Sequence, residues 1–283
     1  MPYREPDPLV SAEWLKSHMG APDVRVIEAT WYIPTPESQG LARRHYEAGH
    51  IPGAVFFDID EICAQDTDVP HMLPDTVFFA SRVRKMGIGD GNRLVVYDRN
   101  NLMASARVWW MLRAMGAMDV RVLDGGLNAW EAAGGELEDM PPITGDRHFT
   151  PRFRTDIVKT REQVKEAMDA GNVDIIDARP PARFTGEAAE PRKGVPSGHI
   201  PGSRNICSVD LLNEDGTMKP EAELRALFGD IDGPVITSCG SGVTAANLAL
   251  ALARLGHNAG VYDGSWTEWA TSEGYPIETG PGR

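Results

Sequence analysis

The stretch from Ile236 to Gly256, ITSCGSGVTAANLALALARLG, sets Cys239 where a thiol can do chemistry. An apolar, strand-like run (Pro234 to Ser238) leads directly into it. Gly240 and Gly242 then bracket Ser241, and a helix signal begins at Ala245. An ordinary cysteine has a pKa of about 8.5 and is a poor nucleophile until ionised. Glycines let a loop curl so that successive N–H groups turn inward and form a nest for an anion. The N-terminus of the following helix adds the positive end of its dipole. Settings of this kind lower cysteine pKa values to about 3.5–7.5. Cys239 is therefore the candidate nucleophile, with Gly240, Gly242, Val243 and Thr244 forming its nest and Thr244 also capping the helix. Cys63 and Cys207 have no such loop and read as small buried hydrophobes.

Two chemistries use a cysteine cradled in this way. Phosphoryl transfer through a phosphocysteine needs an arginine six residues after the cysteine to grip phosphate oxygens. Ala245 occupies that position, and the loop is one residue short for the task. Sulfur transfer remains, in which the thiolate accepts a sulfur atom as a persulfide and the loop N–H groups stabilise the sulfur anion.

The elements that must position this loop occur twice. GHIPG is found at 49–53 and again at 198–202. LVVYDRNNLMASARVWWMLRAMG (94–116) lines up without a gap on PVITSCGSGVTAANLALALARLG (234–256), and VLDGGLNAW (122–130) matches VYDGSWTEW (261–269). Order and spacing are kept, so the chain is a duplicated domain. Within each copy short apolar runs alternate with amphipathic segments. VRVIEA, RLVVYD and VRVL are strands of the first copy, with helices near 76–86 and 104–115. In the second, Thr160 and Gln163 form a capping box opening a helix to about Gly171. VDIIDA, PVITS and AGVYD are its strands; 221–229, 245–255 and the tail after Trp266 are further helices. This alternation predicts an α/β fold of two tandem domains, each a mostly parallel sheet covered by helices on both faces. Ligands of such sheets sit beyond the carboxyl ends of the strands, where Cys239 lies. We expect the domains over 1–140 and 157–283, joined by a proline-rich, polar linker over 141–156.

Bulk properties exclude several partners. The 283 residues carry 41 acidic and 28 basic side chains, a formal charge of -13. That field repels nucleic acid and anionic membranes. The stretch MPYREPDPLVSAEW has no signal-peptide core, and no apolar run approaches the roughly 18 residues of a membrane span. Three cysteines without a CxxC pair suit neither a disulfide framework nor a zinc site. A cytoplasmic protein with reduced thiols is expected.

These motifs together resemble the tandem-rhodanese sulfurtransferases, over nearly the whole chain from about Val10 to Ile277. Within that family the CGSGVT loop is similar to that of members using 3-mercaptopyruvate; thiosulfate enzymes carry basic side chains just after the cysteine. By the gapless alignment Arg99 stands in the first copy where Cys239 stands in the second, which makes the first copy inactive. The resemblance implies that Arg183 and Arg192, in the RFTGEAAEPR segment, bind the substrate. Arginine's planar fork suits a carboxylate or keto oxygen. Arg179, close behind Asp177, fits an internal ion pair better. The resemblance further implies a proton-handling set of Ser241, His71 and Asp60, the last two lying in FFDID and, eleven residues on, PHML. His50 and His199, repeated in both GHIPG turns, read as structural. No metal or organic cofactor is implied. The expected donor is 3-mercaptopyruvate; the acceptor is a thiol such as thioredoxin, or cyanide. A thiosulfate:cyanide sulfurtransferase is the nearest alternative, and a non-catalytic rhodanese-like binding module a more distant one.

If Cys239 alone carries sulfur, intact-mass analysis after donor treatment will show one added sulfur atom. Cys239→Ser will show none, and persistent loading of that variant would refute the assignment.

Overall fold

A computed structural model describes residues 7–283; the first six residues of the stretch read above for a leader lie outside it. The chain forms two compact units. Of the described residues, unit 1 comprises 7–63, 73–154 and 213–218, and unit 2 comprises 64–72, 155–212 and 219–283. Residues 64–72, which follow the first GHIPG turn, thus belong to unit 2, and residues 213–218 belong to unit 1.

Unit 1 runs β1 (Leu9–Val10), α1 (Ala12–His18), β2 (Val24–Glu28), α2 (Leu41–Ala48), β3 (Val55–Phe56), α3 (Thr76–Lys85), β4 (Arg93–Tyr97), α4 (Ser105–Ala114), β5 (Asp119–Leu123) and α5 (Gly126–Ala132). Its five strands pair in the order β1-β5-β4-β2-β3, all parallel. Unit 2 repeats the plan with β6 (Val158–Lys159), α6 (Arg161–Ala170), β7 (Asp174–Asp177), α7 (Pro181–Thr185), β8 (Arg204–Asn205), α8 (Glu221–Phe228), β9 (Val235–Ser238), α9 (Ala245–Arg254), β10 (Gly260–Tyr262) and α10 (Ser265–Thr271). The order β6-β10-β9-β7-β8 is again fully parallel. The parallel α/β expectation therefore holds in both halves.

Central strands buried on both faces explain the near-continuous apolar runs that stood out in the sequence. Every residue of β9 and β10 is buried, as are Leu94 to Tyr97 in β4. α4 and α9, which follow β4 and β9, are buried along most of their length, so their apolar character is not confined to one stripe. The elements that the sequence reading did not single out are short or polar. α1 starts at Ser11, whose hydroxyl accepts the Trp14 N–H; α2 is rich in arginine; α7 is only five residues long. The proline-rich segment before unit 2 is strapped along unit 1. Phe149 is buried, its carbonyl accepts from the Arg84 guanidinium, and the Arg152 N–H reaches the Met115 carbonyl.

Sheet register corrects the gapless alignment of the two copies. Val96 pairs with Val122 and Thr237 with Val261, while Glu28 pairs with Tyr97 and Asp177 with Ser238. The residue leaving β4 at the Cys239 position is therefore Asp98, not Arg99. The Leu127 N–H donates to the Asp98 carbonyl at 3.0 Å, as the Trp266 N–H does to the Cys239 carbonyl at 2.9 Å. Six residues separate Asp98 from α4 and five separate Cys239 from α9, so the extra residue of the first copy lies in this loop. Arg99 instead pairs with buried Glu28 and donates to the Gly49 carbonyl.

Helix capping gives a direct energetic contrast. The Thr160–Gln163 box is complete, with the hydroxyl accepting the Gln163 N–H and the Gln163 side chain accepting the Thr160 N–H. Thr244 sits at the first position of α9 with helical angles and makes no side-chain cap, which overturns the capping role expected for it. Thr160→Ala should lower unfolding free energy by about 1 kcal/mol, and Thr244→Ala by less than about 0.5 kcal/mol. Chemical denaturation of the two variants checks this; equal losses would contradict it.

Candidate functional site

Cys239 follows β9 at the carboxyl edge of the unit 2 sheet and is 2% exposed. What holds it is the start of α10. The N–H groups of Trp266 and Thr267 take the carbonyls of Cys239 and Gly240, at 2.9 and 3.0 Å. The Thr267 hydroxyl adds a second bond to the Gly240 carbonyl at 2.6 Å. Among the described residues all peptide bonds are trans. In a trans peptide plane the N–H opposes the C=O. With these two carbonyls turned toward α10, the N–H groups of Gly240 and Ser241 face the other way. The loop thus presents donors on one side, as a nest for an anion requires.

The two glycines serve different purposes. Gly242 has φ +76, the left-handed region that favours glycine. Gly240 does not; its need is space, because a Cβ there would stand 3.1 Å from Nη2 of Arg183. This close approach also brings the Arg183 guanidinium onto the cysteine loop. Ser241 and Val243 are buried, and Thr244 is half-buried.

The first copy shows what such a loop holds. Both oxygens of buried Asp98 accept main-chain hydrogen bonds: Oδ1 from Asn100 and Leu102 at 3.3 and 3.1 Å, Oδ2 from Ala104 and Ser105 at 3.0 and 2.8 Å. A carboxylate of the chain itself fills that nest, and in the second copy the same position carries a thiol. Sequence comparison did not identify Asp98, since the loop insertion moved it out of register.

Ser241 is joined to a histidine. Its Oγ lies 3.2 Å from Nδ1 of His71, and both side chains are buried. With Nδ1 bare, the serine hydroxyl donates to it, the sense a general base needs. His71 lies in the 64–72 segment of unit 2, a loop closed at its base by the Ala64 N–H to the Met72 carbonyl at 2.9 Å. Its φ of +63 is rare for a residue bearing a side chain. Asp60 belongs to unit 1, where its Oδ2 accepts the Trp31 indole N–H at 3.0 Å.

Arg183 stands at the end of α7, and its guanidinium is held by Glu190, with Nε 3.1 Å from Oε1 and Nη2 on Oε2. The same carboxylate accepts Arg179 Nη1 at 2.8 Å. Arg179 is buried and also grips both Asp177 oxygens and the Gly198 carbonyl, the internal ion pair expected of it. Burial works against its charge, but Asp177 and Glu190 outweigh it and hold its pKa above the ordinary value. Pairing of these loop arginines with a nearby acid, Glu187 or Glu190, is the alternative the sequence offers to substrate binding, and Glu190 is the partner in the structure. Arg192 is half-buried.

The remaining candidates behave as the sequence suggested. Cys207 is buried, and burial pushes its thiol pKa up, the opposite of an activated cysteine. His50 and His199 are fully buried equivalents: each ring stacks on an aromatic of its own unit, and each backbone bridges to a glutamate, Glu138 or Glu278. Among the described residues no cluster of three or more His, Cys, Asp or Glu could hold a metal, and no helix is long and apolar enough to cross a membrane.

Two parallel five-stranded sheets of matching strand order, each with a loop folded back at a strand end, characterise rhodanese-type domains, and comparison with known proteins agrees. The Rhodanese-like domain family matches residues 11–133 and 160–272. The chain is 41% identical to the 3-mercaptopyruvate sulfurtransferase of Escherichia coli K12 over 274 residues, 95% of this chain and 97% of that one. It is 40% identical to the mitochondrial thiosulfate/3-mercaptopyruvate sulfurtransferase 1 of Arabidopsis thaliana, covering 96% and 78% of the two chains. The crystal structure of SseA from Escherichia coli superposes with a TM-score of 0.84 at 40% identity, covering 92% of this chain and 99% of that one. The chain belongs to the tandem-rhodanese sulfurtransferases.

Glu190→Ala would leave two guanidinium groups around an empty carboxylate position. Breaking a buried ion pair costs about 3–5 kcal/mol; the lower end applies, because Asp177 still partners Arg179 and Arg183 is partly exposed. Denaturant titration should show a loss of about 3 kcal/mol, and an unchanged midpoint would mean that the cluster contributes nothing net.

Proposed function

We propose that this protein is a 3-mercaptopyruvate sulfurtransferase working through a persulfide on Cys239. In the first half-reaction the Cys239 thiolate attacks the donor sulfur. The C–S bond breaks, its electron pair passes to carbon as the enolate of pyruvate, and the proton of the donor thiol is delivered to that carbon. Pyruvate leaves, and Cys239 holds a persulfide anion facing the N–H groups of Gly240 to Thr244. In the second half-reaction an acceptor thiolate of thioredoxin type, or cyanide, attacks the outer sulfur and restores the Cys239 thiolate. Arg183 and Arg192 bind the donor carboxylate and keto oxygen, Ser241 and His71 move the proton, and Asp60 completes the set by orienting the histidine. No cofactor takes part in this scheme. A reducing, cytoplasmic setting goes with it, and the three free cysteines support that setting.

The observation that carries this reading is the 3.2 Å bond between Ser241 Oγ and His71 Nδ1, two residues beyond Cys239. Mercaptopyruvate needs its thiol proton moved as the enolate develops. Thiosulfate has no proton to move, and its sulfite leaving group needs cations, which Gly240 and Ser241 lack. The names of the Escherichia coli and Arabidopsis relatives point to the same donor, the second with thiosulfate beside it.

A positioned hydroxyl–imidazole pair contributes about 10²–10⁴-fold to a proton-transfer step. Ser241→Ala should lower kcat/KM for mercaptopyruvate by about that factor and leave thiosulfate turnover, expected to be weak, nearly unchanged. Paired kcat/KM measurements with both donors decide it. An equal fall for both would mean that the serine only shapes the loop, and greater wild-type efficiency with thiosulfate would replace mercaptopyruvate as the donor.

A further inference from the structure

The residue opening α10 is a serine in a conformation that disfavours side chains. Ser265 has φ +49 and is fully buried. Its counterpart in the first copy, at the same place in the D-G-G/S motif, is Gly126 with φ +56, where a Cβ would collide with the Asp98 carbonyl oxygen. Glycine is the default at such angles, and other residues persist there only where surroundings impose them. The second copy therefore keeps a side chain at a position built for none.

What Ser265 does with its hydroxyl supplies the reason. Its Oγ accepts the Cys239 N–H at 3.1 Å and donates to the Tyr262 carbonyl at 2.7 Å. The next residue, Trp266, takes the Cys239 carbonyl. Both polar groups of the Cys239 backbone are thus fixed by two consecutive residues at the start of α10. The first copy needs no such clamp, because the Asp98 carboxylate is aimed by four N–H bonds of its own loop. Sulfur is a weak hydrogen-bond acceptor, so a thiol must be aimed through its backbone instead.

We propose that Ser265 is a positioning residue for Cys239: its hydroxyl takes the Cys239 N–H and thereby fixes the direction of the thiol within the nest. This rests on the reading of Cys239 as the sulfur carrier. The Ser265 hydroxyl is already engaged by the Cys239 N–H and the Tyr262 carbonyl, so its loss acts on the rate of persulfide formation and on thiolate stability, and little on donor binding.

Ser265→Gly tests this, since glycine accepts the backbone angles without strain and removes only the hydroxyl and its carbon. One buried hydrogen bond corresponds to about a tenfold change in rate. The full-length variant should keep or raise its melting temperature while kcat with mercaptopyruvate falls about tenfold and KM stays within about twofold. The pH profile of Cys239 alkylation by iodoacetamide, followed by peptide mapping, should move to higher pH. A purely structural role would lower the melting temperature and leave the alkylation profile in place. Wild-type kcat and an unmoved profile in Ser265→Gly would overturn the proposal. If the glycine variant does not fold, Ser265→Ala, which keeps the Cβ, is held to the same two readouts. Failure of the carrier reading shows separately, as turnover surviving in Cys239→Ser.

Discussion

The structure of the site depends on two main-chain hydrogen bonds from the start of α10 to the carbonyls of Cys239 and Gly240. Peptide planarity converts that capture into a presentation of N–H groups on the opposite side of the loop. Neither bond involves a reactive side chain, and the same geometry recurs between Leu127 and Asp98, where no nucleophile exists. The capture is therefore a property of the fold, and the chemistry is decided by which side chain projects from the residue so held. The carboxylate in the first copy fills its own nest, and the second copy places a thiol there instead.

Around this centre charge is managed differently on its two sides. On the proposed mechanism the nest offers neutral N–H groups to the sulfur anion, and Gly240 and Ser241 place no cation beside it. The cations stand one layer back, where Glu190 holds Arg179 and Arg183 together. Arginine paired in this way is positioned in advance, at little further entropic cost for a new hydrogen bond. The absence of a side chain at Gly240 leaves room for the close approach of Arg183, so loop composition and arginine placement constrain each other.

Much of this was legible because it rests on local rules. Strand–helix alternation, the duplicated motifs and the capping box at Thr160 are written in consecutive residues, and the parallel sheets followed. The joining of Ser241 to His71 was legible only through family resemblance, since 170 residues separate them and no periodicity links them. What the sequence hid has physical reasons. The extra residue between Asp98 and α4 is invisible when strand and helix are aligned as one block, because both flanks match well enough to carry the gap unnoticed. Thr244 looks like a cap by type, yet α9 begins with helical angles at that residue and leaves its hydroxyl no N–H to accept. Glu190 and Ser265 act through hydrogen bonds to a few particular partners, which composition does not signal.

The allocation of chain to the two units bears on why a copy without a nucleophile is retained. Residues 64–72 follow unit 1 elements in sequence but belong to unit 2, and they carry His71 to Ser241. The 213–218 segment makes the reverse excursion into unit 1, where the Met218 N–H donates to Asp124 at 2.7 Å. Unit 2 thus has no complete set of side chains in its own half of the sequence. A loop of nine residues, closed at its base by one main-chain bond, has too little apolar surface to hold its shape alone. Deleting the first copy from the chain would therefore also delete His71 and the 64–72 segment that belongs to unit 2.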